Sequence, residues 1–284
     1  MSEDVTLYVG APLWGQKSWV GNFFPAGTKP NAFLRVYSRR LNTVEGNTTF
    51  YALPSAETIA RWRDETPAGF RFCLKVPQTI SHFKRLLGCE AETAAFIERL
   101  RMLADRCGPC FLQLPPGFGA THLHRLRDWL ERWDRALPLA VEPRHANFFG
   151  LAEAEFNALL QHYGVTCCVF DTAALFSATP ADAATREAQR RKPRFPTRFA
   201  RGERFAFVRF VGHPDVAQNA RWLAPWAERV ANWLNQGVDV FFFTHHPDDT
   251  HAPKLAQMLQ DQVGALTPLS ARGGERADSQ MTLW

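Results

Sequence analysis

The chain of 284 residues lacks any apolar stretch fit to cross a bilayer. The nearest, Val238–Phe243, falls far short of the roughly 20 residues a membrane helix requires. Its first ten residues, with Ser2, Glu3 and Asp4 running into a strand-like stretch, show neither a basic n-region nor a cleavable apolar core. The expectation is a soluble, cytoplasmic protein with no secretory signal. Charge of one sign is also scarce. Lys and Arg number 33 against 28 Asp and Glu, a formal +5, which permits a phosphate-bearing or nucleic-acid partner without demanding one. There is no internal repeat, no glycine-rich nucleotide turn after the first strand and no HExxH pattern. Of the six cysteines, four lie in or beside apolar runs and read as small buried hydrophobes. Cys107-Gly-Pro-Cys110 resembles a thioredoxin motif in reverse order: a helix ends at Arg106 and a strand starts at Cys110. A thiol there gains no helix N-terminus to lower its pKa, so the segment reads as a turn.

What the chain does have is 46% hydrophobic and 13% aromatic residues, ample for one large core. Short apolar runs alternate with helical stripes. The strands are expected at Thr6–Val9, Thr43–Gly46, Phe70–Val76, Cys110–Leu114, Leu139–Glu142, Thr166–Phe170, Phe205–Val211 and Val238–Thr244. Their near-continuous hydrophobicity is that of parallel strands covered on both faces. Stripes such as Leu123, Leu126, Leu130 and Trp133, or Leu223, Trp226, Val230 and Trp233, give the helices between. Ser55 reads as an N-cap and Gly237 as a C-cap. Polar residues recur at the C-terminal strand ends, which favours a closed barrel over a doubly wound sheet. The expected fold is therefore α/β, a (β/α)8 TIM-type barrel over residues 5–266. A basic insert at 177–204 follows the sixth strand, and a flexible tail occupies 267–284.

Several blocks at these strand ends resemble a known family. They are Leu41-Asn-Thr-Val-Glu-Gly-Asn-Thr-Thr-Phe-Tyr51 with Leu53-Pro-Ser55, Phe70-Arg-Phe-Cys-Leu-Lys-Val-Pro77 with Ile80-Ser-His82, and Gly108-Pro-Cys-Phe-Leu-Gln-Leu-Pro-Pro116. Val141-Glu-Pro-Arg-His145 with Phe148-Phe149, and Phe207-Val-Arg-Phe-Val-Gly212, follow in order. Together they resemble the YecE-like family, domain of unknown function 72, across roughly Leu7–Val263. The resemblance implies a TIM-type barrel and carries no activity. Two blocks depart: Gly10-Ala-Pro-Leu-Trp14 retains only the glycine and tryptophan of the family's opening turn, and His245-His246-Pro-Asp248-Asp249 stands where relatives carry asparagines.

Glu45 and Asn47, and likewise Glu142 and Arg144, are two residues apart and project to one side of an extended segment. Two carboxylates on neighbouring loops can divide acid and base work if their pKa values are pushed apart; the alternative is that each is pinned in an ion pair. Lys75 ends an apolar strand as an anion ligand, a nucleophile or a neutralising cation. The catalytic candidates are thus Glu45, Glu142, Lys75 and His145. Asn47, Gln113, Arg144, Asp171, Arg209 and Trp14 are the ligand-binding candidates. Arg209, inside a strand, needs a planar anion, a phosphate or a carboxylate. His213, His245, His246, Asp248 and His251 match no compact metal code. No cofactor is specified. Phe50, Tyr51, Phe148 and Phe149 can stack on a ring or pack over the barrel mouth.

The expected function is an enzyme, a hydrolase or lyase, on a phosphate-containing ligand, linked to nucleic-acid metabolism. The architecture resembles that of the endonuclease IV group, whose multi-metal constellation is not recognisable here. The alternatives are a barrel enzyme on a sugar or small polyol, and a non-catalytic metabolite- or clamp-binding protein. The last of these is raised by Gln280-Met-Thr-Leu-Trp284, which resembles the peptide that docks DNA-repair proteins on the sliding clamp. Gln280 would hydrogen-bond, and Met281, Leu283 and Trp284 would anchor in an apolar groove.

Overall fold

The computed structural model describes residues 5–268. The clamp-like pentapeptide, with Gln280, Met281, Leu283 and Trp284, lies outside the described residues. Elements follow as β1 (Leu7–Gly10), α1 (Phe33–Tyr37), β2 (Thr43–Gly46), α2 (Thr48–Tyr51), α3 (Ala56–Asp64), β3 (Arg71–Leu74), α4 (Glu90–Met102), β4 (Cys110–Gln113), α5 (Leu123–Glu131) and β5 (Leu139–Glu142). Then come α6 (Glu153–His162), β6 (Thr166–Cys167), β7 (Val169–Asp171), α7 (Ala173–Ser177), α8 (Ala183–Arg191), β8 (Phe205–Val211), α9 (Asn219–Asn235), β9 (Asp239–His245) and α10 (Ala252–Leu266). Among the described residues no helix is long and apolar enough to cross a membrane.

The strands form three parallel sheets, ordered β1-β9-β8-β7, β2-β3 and β4-β5-β6. The hydrogen-bonded ladder is therefore interrupted and does not run as one closed ring. Between β1 and β2 it is replaced by the Asn42 amide, whose Oδ1 accepts from Val9 N–H and whose Nδ2 donates to the Leu7 carbonyl, both at 2.8 Å. The Tyr37 hydroxyl adds a second link, accepting from Ala11 N–H and donating to the Thr43 carbonyl. Gly10 is needed there, since a Cβ would come within 2.3 Å of the Thr43 carbonyl oxygen. Single bridges, Phe72 to Cys107 and Lys75 to Phe111, connect β3 with β4. The expected strand Thr166–Phe170 breaks at Cys168, where the chain stops pairing with β5 and starts pairing with β8.

Alternation along the strands separates two cores. Tyr8, Cys73, Phe111, Ala140, Cys168, Phe205, Phe207, Phe241 and Phe243 meet in one cluster drawn from all three sheets. Their neighbours Val9, Phe72, Leu112, Val141, Ala206 and Phe242 belong to a separate outer cluster with Leu126, Leu130, Trp226 and Leu255 of the helices. Full burial of each phenylalanine contributes about 1.5–3 kcal/mol, so the inner aromatics are a substantial stabilising mass.

Local expectations fare well. Ser55 Oγ accepts from Thr58 N–H at 3.2 Å and starts α3. Gly237 takes the left-handed conformation, φ 81°, after α9. Cys107-Gly-Pro-Cys110 is a turn entering β4, and burial pushes the Cys107 thiol up to about 12. The insert is more ordered than its composition suggests. Asp182 Oδ1 caps α8 by accepting from Thr185 N–H, and Thr197 Oγ1 donates to Asp171 Oδ1 at 2.7 Å. Phe195 stacks on Phe149 at 4.2 Å.

Candidate functional site

Inward-facing positions at the C-terminal ends of β2, β5 and β8 carry charge in place of aromatic rings. Glu45, Glu142 and Arg209 are all buried there. Arg209 Nε and Nη2 donate to Glu45 Oε2 and Oε1 at 2.8 and 2.7 Å, a two-point clasp. Its Nη1 donates to Glu142 Oε2. One guanidinium thus joins the three sheets, because β8, β2 and β5 belong one to each. Arg144 Nε donates to the other Glu142 oxygen, and its Nη2 reaches Gln113 Oε1 at 3.2 Å. Asn47 Nδ2 donates to Glu45 Oε1 at 2.7 Å, and His245 Nε2 to Glu45 Oε2 at 3.0 Å. Lys75 Nζ donates to Gln113 Oε1 at 3.0 Å.

Burial alone would push the Glu45 carboxyl up, but Arg209 and His245 outweigh it and hold it well below the usual carboxylate range. Glu142 meets the same opposition from Arg144 and Arg209 and falls to about 2. Both are ionised at neutral pH, so neither supplies a proton, and an acid–base division between them is not what this geometry offers. Lys75 differs: burial, then repulsion from Arg209, lowers its ammonium to about 8. His82, whose ring lies 4.9 Å from that of Phe50, is lowered to about 4 by burial and by Lys75, and is neutral at pH 7.

Of the sequence candidates, Glu45, Asn47, Lys75, Gln113, Glu142, Arg144 and Arg209 come together, and three do not. Asp171 Oδ2 accepts from Trp226 Nε1 at 2.8 Å and its Oδ1 from Thr197 Oγ1 and Ala173 N–H, so it anchors α9, α7 and the insert. Its neighbour Phe170 faces the network, with its ring centre 4.8 Å from the Arg209 guanidinium and 4.2 Å from that of Arg144. His145 Nδ1 accepts from Asn147 N–H in a turn, outside the network. Trp14 packs edge-on against Trp62 at 5.1 Å, among the outer aromatics.

The sequence reading did not assign His82, and it treated Lys192 only as part of a basic run. Lys192 is half-buried. Burial, with Arg209 and Arg144 opposing Asp249, lowers its ammonium. Several of the insert's other cations are engaged in ion pairs or hydrogen bonds. Arg190 and Arg191 pair with Glu187, and Arg198 with Glu153 and the Phe148 carbonyl. Among the described residues no three His, Cys, Asp or Glu side chains group as a metal would require. His246 is held by Asp248 and the Pro214 carbonyl.

A cavity of about 450 Å³ opens at the other end of the strands, among Tyr8, Arg71, Trp133, Tyr163 and Phe205. It shares no residue with the charged network. The inner aromatic cluster lies between them.

Parallel sheets with helices between them and a charged strand-end centre define an α/β protein. The model for the family described as protein of unknown function DUF72 matches residues 8–276, and the chain belongs to that family. It is 36% identical over 264 residues to the UPF0759 protein YecE of Escherichia coli K12, covering 92% of this chain and 94% of that one. It is 26% identical over 151 residues to the UPF0759 protein YunF of Bacillus subtilis 168, about half of each. Crystal structures of DUF72 family proteins share the fold. One from Enterococcus faecalis V583 superposes with TM-score 0.70 at 17% identity, covering 96% of this chain and 100% of that one. One from Thermotoga maritima MSB8 gives 0.67 at 22%, covering 92% and 100%.

Proposed function

We propose that the three sheets are arcs of one TIM-type barrel, a single unit over residues 5–266, and that its C-terminal mouth is an enzyme pocket for a small phosphate-bearing molecule. The barrel reading is supported by the inner cluster, to which strands of all three sheets contribute. The ligand reading rests on one observation: three cations, Lys75, Arg144 and Arg209, gather about two carboxylates that Arg209 and Arg144 already occupy, and the charges of Arg209 and Arg144 act on a fourth, Lys192. The surplus positive charge is concentrated in Lys75 and Lys192, for which no ion pair is seen among the described residues. An oxyanion supplies the missing partner through charge-assisted hydrogen bonds. Arg209, fully engaged, is a scaffold for that pocket and not its anion ligand. A sugar hydrolase mechanism fits less well, because it needs one of the paired carboxyls protonated.

The test is calorimetry with inorganic phosphate, pyrophosphate and a short DNA duplex across a salt series. Phosphate or pyrophosphate should bind, and Lys192→Ala should weaken binding about tenfold, the scale of one charge-assisted contact. Equal affinity for wild type and variant, or no binding, overturns the reading. Binding of DNA alone, falling steeply with salt, replaces it with a nucleic-acid site.

A further inference from the structure

Lys75 stands apart from the exposed lysines Lys17, Lys29 and Lys254, and from Lys84, which pairs with Glu92 at 2.6 Å. Its backbone is fixed from three directions: Lys75 N–H donates to the Gly46 carbonyl at 3.1 Å, Thr49 Oγ1 donates to its carbonyl at 2.7 Å, and it bridges Phe111 across to β4. Its Nζ lies 3.9 Å from the centre of the Phe50 ring and 5.9 Å from that of Phe111, with Gln113 Oε1 as its hydrogen-bond acceptor. Only 8% of the residue is exposed. The nearby carboxylates of Glu45 and Glu142 are bound to arginine. A buried amine so placed is oriented but not neutralised.

We propose that Lys75 is a nucleophilic amine that condenses with the carbonyl carbon of an aldehyde- or ketone-bearing anion, giving an imine. This rests on the pocket reading above, with Lys192 and Arg144 holding the anionic group. The neutral amine's lone pair forms the C–N bond, and its displaced proton passes to the former carbonyl oxygen as a carbinolamine. The hydroxyl then leaves as water with a proton taken from solvent, while the nitrogen lone pair closes the C=N bond. No redox partner is required. The protonated imine keeps the positive charge that the Phe50 face accommodates. The groups facing Nζ set its basicity. Glu45 and Glu142 favour the ammonium, whereas burial, Arg209 and Arg144 oppose it. Neutral His82 adds no charge at pH 7. With its ammonium near 8, about a tenth of Lys75 is free amine at pH 7, against well under a hundredth of an ordinary lysine.

The experiment incubates the full chain with glyoxylate, pyruvate or glycolaldehyde phosphate and sodium cyanoborohydride, followed by intact mass and peptide mapping. One reduced adduct per chain is expected, on the peptide carrying Lys75, forming at least about tenfold faster than on Lys17, Lys29 or Lys254 at pH 7. Its rate should climb with pH and level off above about 8. Labelling of the exposed lysines at equal or greater rate, or no adduct on Lys75, overturns the proposal. Wild-type mapping needs no variant, and Lys75→Arg serves as the blank. Inorganic phosphate titrated separately keeps the two readings distinct: phosphate binding without a Lys75 adduct removes the imine alone, and a Lys75 adduct without phosphate binding removes the anion pocket alone.

Discussion

The two ends of the strands differ in kind. At the C-terminal end Glu45, Glu142 and Arg209 are buried and saturated with one another's hydrogen bonds. At the N-terminal end the cavity has its charges, Arg71, Arg135, Glu203, Arg204 and Asp239, in half-buried or exposed positions. The two ends therefore hold their charges in different surroundings. Water screens the charges around the open cavity, whereas those of the network act through a medium of low polarisability and shift one another's protonation. Unusual burial of charge, rather than an opening, is what marks the candidate site.

Substitution should expose the contrast. Arg209→Met leaves two buried carboxylates without their shared cation and should cost about 3–5 kcal/mol in denaturant unfolding. Adding Glu45→Gln and Glu142→Gln should recover much of that loss, and a triple variant as unstable as the single one would show that packing, not charge, is responsible. Asp171→Ala strands the Trp226, Thr197 and Ala173 donors and should cost about 1–3 kcal/mol while leaving phosphate affinity unchanged. Loss of affinity in a folded Asp171→Ala protein would return that residue to the site. At the opposite end, Arg135→Ala should change stability by no more than about 0.5 kcal/mol. A drop comparable to that of Arg209→Met would erase the distinction between the ends.

The groups at the C-terminal end also make stability depend on pH. Glu142 titrates near 2 in the fold, below its ordinary 4.5, so its contribution is present above 4.5 and is lost as pH falls through 2. His82, near 4 in the fold against an ordinary 6.5, favours unfolding as pH falls across that interval, because the unfolded chain binds the proton first. Lys75, near 8 against 10.5, makes the fold gain stability as pH rises between those values. Unfolding midpoints measured from pH 8 to 10.5 should rise in wild type relative to Lys75→Met. Parallel curves would mean that the Lys75 ammonium is not depressed.

Much of this was legible in the chain. β2, β5 and β8 have the bounds expected of them, because short runs buried on both faces stop before Asn47, Pro143 and Gly212. Seven of the strand-end residues singled out do converge. Asp171 was misplaced by one position of the two-residue alternation: Phe170 points at the network and Asp171 away from it. Its true partner, Trp226, lies 55 residues on, a distance over which periodicity carries no information. The helix α8 was hidden by the basic run of the insert, although Asp182 three residues before Thr185 was a readable cap. That Arg209 would be consumed by carboxylates, leaving Lys75 and Lys192 in surplus, depends on side chains from three separate sheets and had no local signature.

The junction at Arg209 also bears on how the chain folds. Its bonds span 164 residues to Glu45 and 67 to Glu142, so they form only after early, middle and late segments have been brought into register. Closing such long loops is slow, and the ions must shed their water at the same moment. The clasp is therefore expected to form late in assembly, after the rate-limiting step. Weakening it should therefore accelerate unfolding while leaving the refolding rate nearly unchanged, so that the residue acts as a kinetic latch on the native state.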